Sequence, residues 1–238
     1  MKFGITQAFG CSYLPDEQEQ LLVFAEESDD LAKRYGQLIQ AGFRRSGEQI
    51  YRPHCPACQA CQSLRIPVND FIPSRSQKRI LKMNQNLSVA LVKTPKQEYY
   101  PLYETYITER HADGAMYPPS KRQFDSFIEC LWKPPFFFEA RDEKGQLISV
   151  AVTDEVHDGH HHRAFSALYT FFDPAFDKRS IGTWMILKQI EQAAQLGKTY
   201  LYLGYQVNGC QKMAYKSKFY PHERFLLNKW HTITKNVA

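Results

Sequence analysis

Three cysteines at two-residue intervals, Cys55, Cys58 and Cys61, lie in a stretch that also carries Arg44, Arg45, Arg52 and Arg65. Thiolates so spaced bind a metal or a cluster when they are not simply small buried hydrophobes. Arginine is the preferred partner of carboxylate and phosphate, because its planar guanidinium can donate two parallel hydrogen bonds. The stretch from Gly42 to Val68 therefore reads in two ways. It is an anion-binding surface held in shape by a structural ligand, or a solvated basic loop over buried thiols. Asp154 and Asp173 fall near strand ends close to Tyr169 and Tyr205 and are candidates for proton handling. Asp173 precedes Pro174, however, and Asp-Pro often does no more than turn a chain. Lys212, Tyr215, Lys216 and Lys218 form a short basic segment. It suits RNA phosphates, with a tyrosine to stack on a terminal base, or else it is a solvated helix face. His160–His162 are three consecutive imidazoles on an expected hairpin tip, and they read as solvated loop rather than as a metal site.

These residues need a scaffold, and composition says which kinds are open. A chain of 238 residues is long enough for a real core, in one large domain or two smaller ones. The 14% aromatic content argues against disorder. No run of eighteen apolar residues exists, so no membrane-spanning helix is expected. The opening MKFGITQAFGCSYLPDEQEQ lacks the basic-then-apolar pattern of a secretory signal, so a cytoplasmic location is expected. There the six cysteines should be thiols or ligands rather than disulfides. A net charge of +5 permits a nucleic-acid partner without requiring one.

Periodicity supplies the elements. Leu21–Phe24 has strand character. A helix opens at Ser28 with Leu31, Tyr35, Leu38 and Ile39 on one face and stops at Gly42. Ile50–Arg52 and Leu64–Val68 read as short extended pieces. Ser74–Asn86 reads as a basic helix with Arg75, Lys78, Arg79 and Lys82. From Leu87 the order becomes strand (Leu87–Val92), helix (Lys96–Ala112), helix (Ser120–Leu131) and strand (Phe136–Arg141). Strands Leu147–Glu155 and Ala164–Phe172 follow, then helix Ser180–Leu196 and strand Thr199–Tyr205. A short helix (Lys212–Phe219) and a last strand (Phe225–His231) complete the chain.

That order is similar to the one in GNAT-type acyltransferases, where a loop and a helix N-terminus after the fourth strand bind the donor's phosphates. Arg179 and Gly182 match the coenzyme A loop of that family, and Trp184 departs from it. The whole set of motifs resembles one family, the bacterial leucyl-tRNA–protein transferases, relatives of the arginyl-tRNA–protein transferases. The carrying stretches are CSYLP (11–15), GFRRSG (42–47), YRPHCPACQACQSLRIPV (51–68) and SRSQKR (74–79). Later come SALYTFFDP (166–174), RSIGTW (179–184) and YLYLGYQVNGCQKMAYKSKFYPHE (200–223).

The resemblance implies an α/β fold with a mixed sheet. A GNAT-like domain over residues 87–238 would follow a small Cys/Arg-rich N-terminal domain over 1–86. It implies transfer of leucine from leucyl-tRNA to the N-terminal Asp or Glu of a protein, which marks that protein for N-degron degradation. The partners implied are leucyl-tRNA and such acceptor proteins, with no membrane. The donor is an activated ester, so the chemistry calls for no cofactor. Asp173, Tyr169 and Asp154 are the candidate catalytic residues. Arg44, Arg45, Arg52 and Arg65 are candidates for the acceptor carboxylate or RNA phosphate, and Tyr205, Lys212, Tyr215 and Lys216 for the donor. The resemblance also brings Cys11 beside Cys55, Cys58 and Cys61 as four possible ligands for structural zinc or an iron–sulfur cluster. Relative to the arginyl enzymes, Leu14 stands where a second cysteine would be. Three other readings stay open: arginyl transfer, a coenzyme A-dependent acetyltransferase, and a non-catalytic RNA-binding module.

Overall fold

Alternation and helical spacing in the first 53 residues build a small layer around one helix. The computed structural model describes residues 1–26, 28–114, 116–157 and 163–235, so His160–His162 lie outside the described residues. Strands β1 (Phe3–Ile5), β2 (Phe9–Gly10), β3 (Gln18–Glu19) and β4 (Leu21–Phe24) precede helix α1 (Ser28–Gln40). Strands β5 (Arg44–Ser46) and β6 (Gln49–Pro53) follow it. The order β1-β4-β6-β5 makes an antiparallel sheet, and β2 pairs with β3. Helix α1 buries the expected stripe of Leu31, Tyr35, Leu38 and Ile39. It stops where expected: Gly42 takes φ +84°, and the Phe43 N–H reaches back to the Leu38 carbonyl at 3.0 Å. A left-handed residue satisfies the last carbonyls of a helix, and glycine adopts it without a Cβ clash.

The chain then enters a larger sheet. Strand β7 (Cys61–Pro67), helix α2 (Arg75–Met83) and β8 (Ser88–Val92) lead to helices α3 (Tyr99–Arg110) and α4 (Lys121–Ile128). Strands β9 (Phe136–Arg141), β10 (Leu147–His157) and β11 (Arg163–Phe172) come next. A 3-10 turn (Pro174–Arg179), helix α5 (Ile181–Gln195) and strands β12 (Tyr200–Val207), β13 (His222–Leu226) and β14 (Lys229–Ile233) complete the fold. The eight-stranded order is β14-β13-β7-β12-β11-β10-β9-β8. Strands β11 and β12 run parallel, joined by the α5 crossover, and the other pairings described are antiparallel. This is the mixed α/β architecture expected. Strand β7, from the Cys/Arg-rich segment, lies inside the large sheet between β12 and β13.

Two apolar clusters hold the layers. The larger packs α3, α4 and α5 against the sheet through Tyr103, Phe124, Phe137, Phe171 and Trp184. The smaller joins α1 and β6 to Val156, Ala164 and Tyr202 of the large sheet. Two elements differ from expectation. Lys212–Phe219 is not one helix but two 3-10 turns, Gln211–Met213 and Lys216–Lys218. The last strand is a hairpin, turning at Leu227 (φ 49°) and Asn228 (φ 61°). Such turns are signalled by Asn-Gly or Asp-Gly, and a leucine at the first position hides them.

Candidate active site

Strands β11 and β12 pair over three residues, Ala164 with Tyr200, Phe165 with Leu201 and Ser166 with Tyr202. Both continue beyond that level, to Phe172 and Val207. Each carries an irregularity where the pairing stops. In β11, Ala167 faces Thr153 and Tyr169 faces Val152, which leaves Leu168 extra. In β12, Tyr202 faces Arg65 and Gly204 faces Leu64, which leaves Leu203 extra. A bulge bends its strand, and two at one level splay a parallel pair. The splay exposes backbone carbonyls that would otherwise lie in the ladder.

Two cations occupy that wedge. Arg44, only 6% exposed, donates from Nη2 to the Ala167 carbonyl of β11 at 2.7 Å and from Nη1 to Ser166 Oγ at 3.2 Å. Lys216 donates from Nζ to the Tyr205 carbonyl of β12 at 2.7 Å. Among the described residues neither makes a salt bridge. Desolvation, then the charge of Arg44, lower the Lys216 ammonium to about 7. Gly204 makes room for this arrangement. It sits at φ +83°, and a Cβ there would meet Arg44 Nη2 at 3.2 Å and Cζ at 3.3 Å. Sequence reading passed over Gly204, although an isolated glycine within a strand pattern signals a bulge or close approach.

Tyrosines border the same region. Burial, followed by the neighbouring Tyr106, raises the phenols of Tyr169 and Tyr215, the latter to about 12, so both are neutral donors. The Tyr106 ring lies 6.4 Å from Tyr169 and 5.0 Å from His111. Tyr106 falls in an ordinary helical stripe and His111 is the residue that ends α3, so neither carried a distinguishing sequence signal.

The other sequence candidates are placed differently. Arg45 and Asp154 form a fully buried pair, with Nε and Nη2 on the two carboxylate oxygens at 2.7 and 2.6 Å. Tyr35 OH adds a third donor to Asp154 at 2.8 Å. Both side chains are spent on joining the small layer to β10. Arg65 pairs with Glu223 at 2.6 Å and stacks between Tyr200 and Trp230, 3.8 and 4.1 Å from their ring centres. Asp173 accepts the Ala175 N–H at 2.9 Å and caps the 3-10 turn. Tyr205 OH is buried against the Gly42 and Tyr51 carbonyls at 3.1 Å. Lys212 is exposed and pairs with Asp113 at 3.1 Å.

Cys11, Cys55, Cys58 and Cys61 line a cleft of about 630 Å³ that also presents Arg52 and His54. Burial, then the other three thiols, push Cys61 up to about 12. Four thiolates would suit zinc or a cluster by type. Yet among the described residues no group of three or more His, Cys, Asp or Glu side chains converges to hold a metal ion. As arranged, the thiols share a cleft without closing on one point. Arg52 is half-buried here, with Nη1 3.3 Å from the Ala41 carbonyl and its guanidinium over Phe43.

The loop that would hold coenzyme A phosphates is closed by the chain itself. Arg179 donates to the Met83 carbonyl at 2.7 Å and to Asn86 Oδ1, both at the end of α2. Asn84, fully buried, returns a bond from Nδ2 to the Arg179 carbonyl at 2.9 Å. Trp184 does not obstruct the loop as its size implies. Its side chain is 1% exposed, in the core.

Family models for the N terminus and C terminus of arginine-tRNA-protein transferases match residues 9–79 and 98–226. The aspartate/glutamate leucyltransferase of Pseudoalteromonas atlantica is 53% identical over 235 residues, 99% of each chain. That of Aeromonas salmonicida is 52% identical, over 98% of this chain and 95% of its own. The chain belongs to the aspartate/glutamate leucyltransferase family. A member of this family is an aminoacyltransferase, with an aminoacyl-tRNA as donor and a protein as acceptor. Shewanella amazonensis supplies a more distant member, 48% identical over 95% of this chain. Among solved structures, the C-terminal domain of a putative lysylphosphatidylglycerol synthetase from Agrobacterium fabrum aligns over 88% of this chain and 65% of that one, at 13% identity and a TM-score of 0.48. No helix among the described residues is long and apolar enough to cross a membrane.

Proposed function

We propose that this protein moves leucine from leucyl-tRNA to the N-terminal Asp or Glu of acceptor proteins in the cytoplasm, marking them for N-degron degradation. The observation that carries the reading is the pair of cations in the β11/β12 wedge, Arg44 and Lys216, which have no carboxylate of their own among the described residues. The leucyl ester lies in the wedge, and the acceptor's α-amine attacks its carbonyl. The C–N bond forms, the ester C–O bond breaks, and the ribose hydroxyl leaves with a proton. Lys216, whose ammonium is lowered to about 7, takes the proton from the attacking amine in its neutral form and can return it to the leaving oxygen. Arg44 holds a fixed positive charge where the oxyanion develops. Tyr169 and Tyr215 are neutral donors that orient the leucyl ester and the terminal base.

Arg52 is the arginine that reads the acceptor carboxylate. It faces an open cleft, whereas Arg45 and Arg65 are each paired with a carboxylate. A guanidinium there grips Asp or Glu and gives Asn or Lys nothing equivalent. The deciding experiment mixes the purified protein with radiolabelled leucyl-tRNA or arginyl-tRNA and peptides beginning with Asp, Glu, Lys or Ala. Leucine on the Asp and Glu peptides alone is the expected result. Arginine transfer in its place overturns the donor assignment, and RNA binding without transfer of either overturns the catalytic one.

A further inference from the structure

Helix α2 carries Arg75, Lys78, Arg79 and Lys82 at i, i+3, i+4 and i+7, so all four share one face. All four are exposed, and none has a salt-bridge partner among the described residues. A merely solvated helix face ordinarily mixes signs in i,i+4 pairs, whereas this helix, RSQKRILKM, contains no acid. Its other face is fixed to the body of the protein. Ile80 and Leu81 pack on the main core. Gln77, buried, closes a capping box with Ser74 and donates from Nε2 to the Lys218 carbonyl at 3.3 Å. Beyond the last turn, Asn84 and the Met83 carbonyl lock onto Arg179.

The helix thus bridges the two segments that flank the wedge, the 216–218 turn bearing Lys216 and the 173–180 loop. In a coenzyme A enzyme that loop would grip the donor's phosphates with its arginine and helix N-terminus. Here Arg179 is consumed by α2, and the unpaired positive charge stands instead on α2's outer surface. That surface is a rigid stripe of roughly 10 Å at 1.5 Å per residue. It offers no aromatic side chain on which unpaired bases could stack, which favours a duplex over a single strand as its partner.

We infer that the outer face of α2 is the docking surface for the double-helical stem of the donor RNA, taking over the phosphate-binding role that the closed 173–180 loop has lost. The inference rests on the reading above that the donor is a charged tRNA. It assigns Arg75, Lys78, Arg79 and Lys82 to backbone phosphates, with positioning rather than chemistry as their part.

The test compares the wild-type protein with the fourfold variant Arg75→Gln, Lys78→Gln, Arg79→Gln, Lys82→Gln. Binding of leucyl-tRNA is titrated from 50 to 300 mM KCl, and transfer is measured from leucyl-tRNA and from a leucyl ester of the terminal CCA trinucleotide. We expect the variant to bind tRNA at least about tenfold more weakly at low salt, with the slope of log K against log salt reduced by about two to four. Transfer from the trinucleotide ester should stay within about twofold, which also shows that the variant is folded. An unchanged slope with unchanged affinity overturns the surface while leaving the reaction standing. Wild-type protein that transfers from neither donor, with tRNA binding still lost in the variant, overturns the reaction while leaving the surface standing. A charge-conserving Arg75→Lys, Arg79→Lys variant should keep binding within about threefold. If it loses as much as the fourfold change, the contact is not electrostatic and the inference fails.

Discussion

Arg44 and Arg45 are neighbours on one short strand, and they enter two different environments. Arg45 turns into the junction between the small layer and β10, where Asp154 and Tyr35 satisfy it completely. Arg44 turns into the β11/β12 wedge, where its partners are a backbone carbonyl and a hydroxyl and the nearby charge is another cation, Lys216. Alternation along a strand is what separates them. The difference shows how to tell a structural charge from a working one. Where burial is matched by a counter-ion, the group is finished. Where two cations are held together without one, the site has charge left for an incoming anion or oxyanion. The matched pair holds the small layer in place, and through it Arg44.

The comparison can be broken from either side. Asp154→Asn strands the buried Arg45 charge and should cost about 3–5 kcal/mol of unfolding free energy, read by urea denaturation. A loss below about 1 kcal/mol would show that the junction is open to water. Lys216→Met should lower the single-turnover rate by about 100-fold or more, with tRNA saturating. The folded protein holds Lys216 near 7, well below an unfolded lysine, so the unfolded state binds the extra proton between about 7 and 10. Burying it therefore costs stability in full below about 7, and the cost fades as pH rises toward 10, so the methionine variant should unfold at no lower temperature than wild type at pH 7.5. In the wild-type enzyme the rate should rise as pH passes through about 7 and level off above it, because the neutral amine is the active form. A limb that follows the pKa of the acceptor peptide's own amine, and not Lys216, would exclude the lysine as proton acceptor.

Smaller changes sharpen the picture. Gly204→Ala forces a Cβ against the Arg44 guanidinium at positive φ, and should cost about 1–3 kcal/mol of stability. It should also slow transfer about tenfold, a loss that Gly204→Ser reproduces. Full activity with normal stability would mean that Arg44 can move freely. Arg52→Lys keeps the charge and loses the fork, so discrimination between Asp and Asn peptides should fall by about tenfold, with kcat for the Asp peptide less affected than KM. Unchanged discrimination would move the carboxylate reader elsewhere, with Arg44 next in line.

Much of the frame is legible in the sequence. The strand and helix order from Leu87 to Tyr205 and the Gly42 stop have local or family signals. Three features did not. The Leu227–Asn228 turn lacks the glycine that usually announces it. The insertion of β7 beside β12 depends on pairing across more than 130 residues, which no window of sequence contains. The fate of Arg179 depends on where α2 ends in space.

The residue types and spacings by themselves determined an alternating order of strands and helices, two basic segments and a run of evenly spaced thiols, because periodicity and motif spacing are local properties. Which of four arginines is neutralised, which lysine loses its proton, and which face of a basic helix remains free were decided by the tertiary structure alone. Those outcomes depend on desolvation and on counter-charges brought from distant elements, such as Asp154 on β10 and Glu223 on β13, and such energies exist only once the layers have packed.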